Sequence, residues 1–110
     1  MGKTKAYIYS RISPIAAESV LRYQTDLLKS FALDNDMEVV TINQNVSFDA
    51  MEKVNNFEHL VRSIRRELID VVLIYSPNRI SDDIGEFEEF EMFCKMHNVS
   101  IISLINILKN

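Results

Sequence analysis

Two short segments carry the side chains best suited to chemistry. The first reads Ser10-Arg11-Ile12-Ser13-Pro14 and the second Asn78-Arg79-Ile80-Ser81-Asp82-Asp83. A serine hydroxyl facing two arginines suits attack on a phosphate diester. Guanidinium groups stay charged, grip phosphate oxygens in fork geometry and stabilise the charge that builds in the transition state. The two histidines, His59 and His97, fall in helical segments, so neither is placed as the base of a Ser-His-Asp arrangement. No His, Asp, Glu or Cys grouping has metal-ligand spacing, and there is no glycine-rich phosphate loop. The expected site is one of serine and arginines, with no metal and no cofactor.

The elements that must position these segments follow from hydrophobic periodicity. Ala6-Tyr7-Ile8-Tyr9 reads as a short strand. Residues 16–35 form a helix with Val20, Leu21, Leu27, Leu28, Phe31 and Ala32 at helical spacing, broken by Asp34-Asn35-Asp36. Residues 37–42 form a second strand, and the polar stretch 43–56 reads as a long loop. A helix over 57–68 presents Phe57, Leu60, Val61, Ile64 and Leu68 on one face. The continuous apolar run Val71–Tyr75 suits a strand buried on both sides. A helix over 83–97 turns Ile84, Phe87, Phe90, Met92, Phe93 and Met96 inward, and a last strand covers 99–104. This alternation predicts a single α/β domain over 1–110, an open and mainly parallel sheet of four to five strands with helices on both faces. In such a sheet, ligands gather beyond the carboxyl ends of the strands, which selects residues 10–14, 43–56 and 76–83.

Composition narrows the classes. The chain has 110 residues, 47% hydrophobic and 25% charged, the balance of a folded domain rather than a disordered one. No apolar run approaches the ~18–20 residues of a bilayer span, and the basic amino terminus lacks a secretory apolar core. Cys94 has no cysteine partner in the chain, which fits a reducing, cytoplasmic setting. The net charge of −4 argues against a surface built by itself to coat nucleic acid.

The same segments resemble the serine recombinases, the resolvase/invertase family. Tyr9-Ser10-Arg11-Ile12-Ser13 is similar to the family's Y-x-R-[VI]-S, and Gln24 stands near the family's glutamine of the first helix. Phe57-Glu58-His59-Leu60, Ile69–Tyr75, Asn78-Arg79-Ile80-Ser81 and Asn98–Leu104 resemble its later landmarks in order. The resemblance runs from about Lys5 to Leu104. It implies that Ser13 is the nucleophile, that Arg11 and Arg79 hold the scissile phosphate, and that Gln24 helps position the site. It implies DNA cleavage and rejoining through a 5′-phosphoserine link, without ATP or metal. It also implies dimers and tetramers in a longer polypeptide that continues past Asn110 into a dimer helix and a DNA-reading domain. This domain alone would then bind DNA weakly.

Several positions depart from the family pattern. Its D-R-L-x-R reads Asn78-Arg79-Ile80-Ser81-Asp82, and Val54 stands at an expected arginine. Lys53, Arg62 and Arg65 are nearby cations that could substitute. A second reading is therefore a catalytically degenerate domain that acts through self-association or regulation. Receiver and flavodoxin domains share the alternation. However, this chain lacks a receiver's acids after the first strand, and Ser13-Pro14-Ile15 is a poor flavodoxin phosphate loop. Quieter roles compete at single residues. Ser10 would be a strand-end residue and Gln24 helix surface. Arg79 would neutralise Asp82, Asp83 and Glu86, while Asp82 and Asp83 would start a helix. Cys94 would be a small apolar or half-exposed helix residue.

Overall fold

The computed structural model describes residues 2–12, 18–46, 50–81 and 83–105. In chain order the elements are β1 (Thr4–Ile12), α1 (Glu18–Asp34), β2 (Met37–Val46), α2 (Ala50–Arg65) and β3 (Val71–Ile74). A 3-10 turn (Pro77–Arg79), α3 (Ile84–Met96) and β4 (Ser100–Ser103) complete the fold. The four strands form one parallel sheet in the order β2-β1-β3-β4. The first crossover, through α1, moves to one side of β1, and the next two, through α2 and α3, move to the other. The strand order thus reverses between β1 and β3, which makes the carboxyl ends of those two strands the switch point where ligands collect in such sheets.

Side-chain alternation along β1 builds two cores. Tyr7 and Tyr9 join Val72 and Ile74 of β3 under Leu60 and Ile64 of α2 and Phe90 and Cys94 of α3. Ala6 and Ile8 join Val71 and Leu73 under Leu28 and Ala32 of α1. Helices therefore cover both faces, as the alternating pattern predicts. Among the described residues no helix is long and apolar enough to cross a membrane.

Three boundaries differ from the sequence expectation. β1 is longer than 6–9 and carries Ser10 and Arg11 within the strand. The stretch 43–56 is not one loop, because β2 continues to Val46 and α2 begins at Ala50. Polar Asn43 and Gln44 belong to the strand because their backbones pair with Tyr9 and Ser10 and their side chains find partners on neighbouring elements. Tertiary pairing here overrides the low strand propensity of asparagine. Residues 47–49 lie outside the described set. On α3, Phe90 and Cys94 are buried, but Ile84, Met92 and Met96 are 77%, 62% and 74% exposed. At about 100° per residue Met92 and Met96 stand opposite the buried pair and Ile84 lies to one side of it, so apolar type misjudged their direction. Leu68 and Val20 are likewise exposed rather than inward.

The chain has only two glycines, and its helices end without them. After α2, Leu68 N donates to Ser63 O and Glu67 N to Ile64 O. After α3, Val99 N donates to Cys94 O and Asn98 N to Lys95 O. These paired bonds form Schellman caps with Glu67 (φ 57°) and Asn98 (φ 59°) in the left-handed region that glycine ordinarily fills. At the start of α3, Asp83 Oδ1 accepts from Gly85 N and Glu86 N at 2.8 and 3.1 Å, as expected of a helix-starting aspartate.

Candidate functional site

The switch point gathers side chains on both faces of the sheet. On the α1 side, Arg79 leaves the 3-10 turn after β3 and reaches α1, where its Nε donates to Gln24 Oε1 at 3.2 Å. Its Nη1 donates to Asn78 Oδ1 at 3.2 Å, and Ser76 Oγ donates to that same Asn78 oxygen. The guanidinium carbon lies 5.6 Å from the centroid of the Tyr75 ring. Gln24 is therefore not helix surface: it is 3% exposed and spends its carbonyl on a cation. The hydrogen bonds described for Arg79 go to Gln24 and Asn78. Asp83 caps α3, and Glu86 accepts from Ser81 Oγ at 2.6 Å.

Beside this cluster a polar chain, buried at Ser10 and Thr25, ties three elements together. Thr25 Oγ1 donates to Ser10 Oγ at 3.0 Å, and Gln44 Nε2 donates to Thr25 Oγ1 at 3.2 Å. Ser10 is fully buried within β1, not at its end, and its hydroxyl is turned to α1. The relay joins β1, α1 and β2 one residue away from Gln24 and Arg11. Sequence reasoning passed over Thr25 and Gln44. The available signal was the polar pair Gln24-Thr25 on a helix face otherwise built from Leu21, Leu28 and Ala32.

On the other face, Arg11 follows Tyr7 and Tyr9 in the strand alternation and lines a groove of about 1020 Å³ between α2, α3 and the end of β1. The groove floor is aromatic: Phe57 lies edge-on to Tyr9 at 6.5 Å and 5.4 Å from Phe90, centroid to centroid. Glu58, Asp83, Glu86 and Glu89 line it as well, so acids outnumber the two arginines there, Arg11 and Arg65. Arg65 lies in the last turn of α2, about 12 Å along the helix from Phe57, with its guanidinium 6.0 Å from the Phe93 ring. Deeper in, the Tyr7 hydroxyl accepts from Asn43 Nδ2 at 2.9 Å and lies 2.7 Å from His59 Nδ1. Burial pushes the Tyr7 phenol up to about 12, against the opposing pull of the Asn43 hydrogen bond. Cys94 is buried rather than half-exposed, and burial, with Glu91 nearby, pushes its thiol up to about 12 as well.

Of the residues singled out from the sequence, Gln24 and Arg79 meet directly, while Arg11 stands at the same end of the sheet on its opposite face. Ser13 and Asp82 lie outside the described residues, and Val54 lies within α2.

The fold is an open parallel sheet with reversed strand order, an α/β domain with Arg11 and Arg79 near its switch point. Comparison with known proteins gives the lineage. Residues 6–109 match the family model described as the resolvase N-terminal domain. The chain belongs to that family, the catalytic domains of the serine recombinases. No match was found among curated protein sequences. Among solved structures, the C-terminal catalytic domain of an IS607-like serine recombinase superposes with a TM-score of 0.80 at 24% identity, covering 91% of this chain and 68% of that one. The N-terminal catalytic domain of TP901-1 integrase gives 0.79 at 21% identity, covering 94% and 78%. A resolvase family site-specific recombinase from Streptococcus pneumoniae gives 0.78 at 19% identity, covering 94% and 74%. At these identities the likeness establishes a shared fold.

Proposed function

We propose that this domain cleaves and rejoins DNA by transfer of a phosphodiester to Ser13. The serine oxygen attacks phosphorus, the bond to the 3′ oxygen breaks, and that oxygen leaves with a proton as a 3′ hydroxyl. A 5′ phosphoserine remains. The covalent link keeps the bond energy, so a 3′ hydroxyl can reverse the step on a new partner strand without ATP. Arg11 and Arg79 grip the phosphate from the two faces of the sheet and neutralise charge as the fifth bond forms. Gln24 holds Arg79 in place.

The observation that carries this reading is the Gln24–Arg79 contact at the switch point, in a chain whose family model spans nearly its whole length. Asn78 supports it as well. Where the family pattern has an acid, the amide oxygen still accepts from Arg79 and so keeps the orienting half of the acid's role without its charge. The acidic balance of the domain and of its groove supports weak DNA binding by this part alone. Tight and sequence-specific binding would then come from a dimer or tetramer and from chain beyond Asn110.

The test is to tag the natural polypeptide at its amino terminus in the source cell and isolate protein covalently bound to DNA. Ser13→Ala is expected to abolish the linked fraction while leaving the folded domain intact by circular dichroism. A linked fraction that survives the substitution refutes the assignment. Absence of linked DNA from the unsubstituted protein, together with association between copies, favours the reading of a degenerate, self-associating domain.

A further inference from the structure

Tyr75 is the first residue after β3, and two attachments keep it in place. Its ring packs against the α1-side core, and its carbonyl oxygen accepts from Ile105 N at 2.9 Å, beyond the end of β4. The guanidinium of Arg79 rests over this ring, 5.6 Å from carbon to centroid. The hydrogen bonds to Gln24 and Asn78 meet the guanidinium at its edge and set its direction. An edge bond tolerates tilt about its own axis, and a ring beneath the guanidinium restricts that tilt. We infer that Tyr75 is a positioning residue, setting the plane of the Arg79 guanidinium so that its donor fork meets phosphate in one orientation. The inference rests on the proposed function for the purpose of that orientation, but not for its existence.

The chemistry of the partners favours this role over simple packing. Tyr75, Gln24 and Asn78 are all neutral, so these three contacts themselves add no negative charge that would compete with phosphate. Ordering before the substrate arrives removes the rotamer entropy that a long side chain otherwise loses on binding. Tyr75→Phe keeps the ring face, while Tyr75→Leu keeps apolar bulk and removes the face.

The experiment labels arginine with nitrogen-15 in the 110-residue chain and follows the Arg79 Nε–H resonance, assigned with Arg79→Lys. The expected signal in the unsubstituted chain is displaced by the ring current and shows a nuclear Overhauser contact to the Tyr75 ring protons. Tyr75→Phe should retain both features, and Tyr75→Leu should return the resonance to the position of exposed arginines. A resonance unmoved by Tyr75→Leu overturns the proposal. Absence of the Overhauser contact in the unsubstituted chain also overturns it, whatever the folding of the variants. In the natural polypeptide, Tyr75→Leu should slow formation of the DNA link about fivefold and Tyr75→Phe should restore it, the size expected of a modest cation–π contact. If the unsubstituted polypeptide forms no link, the functional reading fails while the resonance still decides the role of Tyr75.

Discussion

The two faces of the sheet treat their arginines differently. On the α1 side, Arg79 is held by Gln24, Asn78 and the Tyr75 ring, beside the Ser10–Thr25–Gln44 relay. On the α2/α3 side, Arg11 borders a wide groove with an aromatic floor and several acids. The first region is an ordered polar cluster, and the second is an open cleft. In the proposed site the two arginines therefore come from different surroundings, Arg79 from a polar cluster and Arg11 from the border of a groove. The difference shows how one β-strand serves two purposes: alternate residues of β1 send Ser10 into the ordered side and Arg11 into the open one.

The strongest way to break this comparison is to remove each arginine in turn. Arg79→Ala should reduce DNA-link formation about 100- to 1000-fold, the range for losing one preorganised charge-stabilising donor. Arg79→Lys should rescue little, because a point charge lacks the fork that meets Gln24 and Asn78. Arg11→Ala should reduce the rate as severely, but without disturbing the Arg79 resonance. Equal disturbance of that resonance by both substitutions would mean that the two sides are not separate.

Alkaline pH should separate the faces by stability. Tyr7 and Cys94 both belong to the α2/α3 core, and each holds its proton to about 12 in the folded protein. The unfolded chain loses those protons nearer 10 and 9. Through that window the unfolded state binds fewer protons than the native state, so stability must fall as pH rises from about 9 to about 12. The expected loss is on the order of 3 kcal/mol or more, measured by denaturant unfolding at stepped pH. Tyr7→Phe and Cys94→Ala should each flatten the slope, whereas a slope unchanged by both would contradict the burial of these groups.

Thr25→Val examines the ordered side. It removes the Thr25 partner of the buried Ser10 hydroxyl and should cost about 1–2 kcal/mol. The smallest effect is expected far from both regions, where Glu67→Gly should stabilise the fold by about 1 kcal/mol, because Glu67 occupies a left-handed backbone position. A destabilising result there would show that the Glu67 side chain makes a contribution beyond its backbone.

Much of this architecture was legible in the residues themselves. The apolar run at Val71–Ile74 and the spacing of Leu21, Leu28 and Ala32 placed a buried strand and a covering helix where they stand. Asp83 was legible as a cap because an aspartate ahead of a helix has one common use. Asn43 and Gln44 were misleading. Their strand comes from pairing with β1 and from partners on Tyr7 and Thr25, none of which is encoded locally. Ile84, Met92 and Met96 misled in the other direction, since apolar type says nothing of which face a helix turns to the core. At the site, motif spacing selected Gln24 and Arg79, which meet. The division of Arg11 and Arg79 between two faces of the sheet required the strand order, which no local pattern contains.

The central claim is best tested by locating the protein–DNA bond. DNA-linked protein from the source cell, digested with nuclease and trypsin, should carry its residual nucleotide on the peptide spanning residues 12–22, with fragmentation placing it on Ser13. A nucleotide on the peptide 6–11, which contains the buried Ser10, or on any residue other than Ser13, would contradict the account.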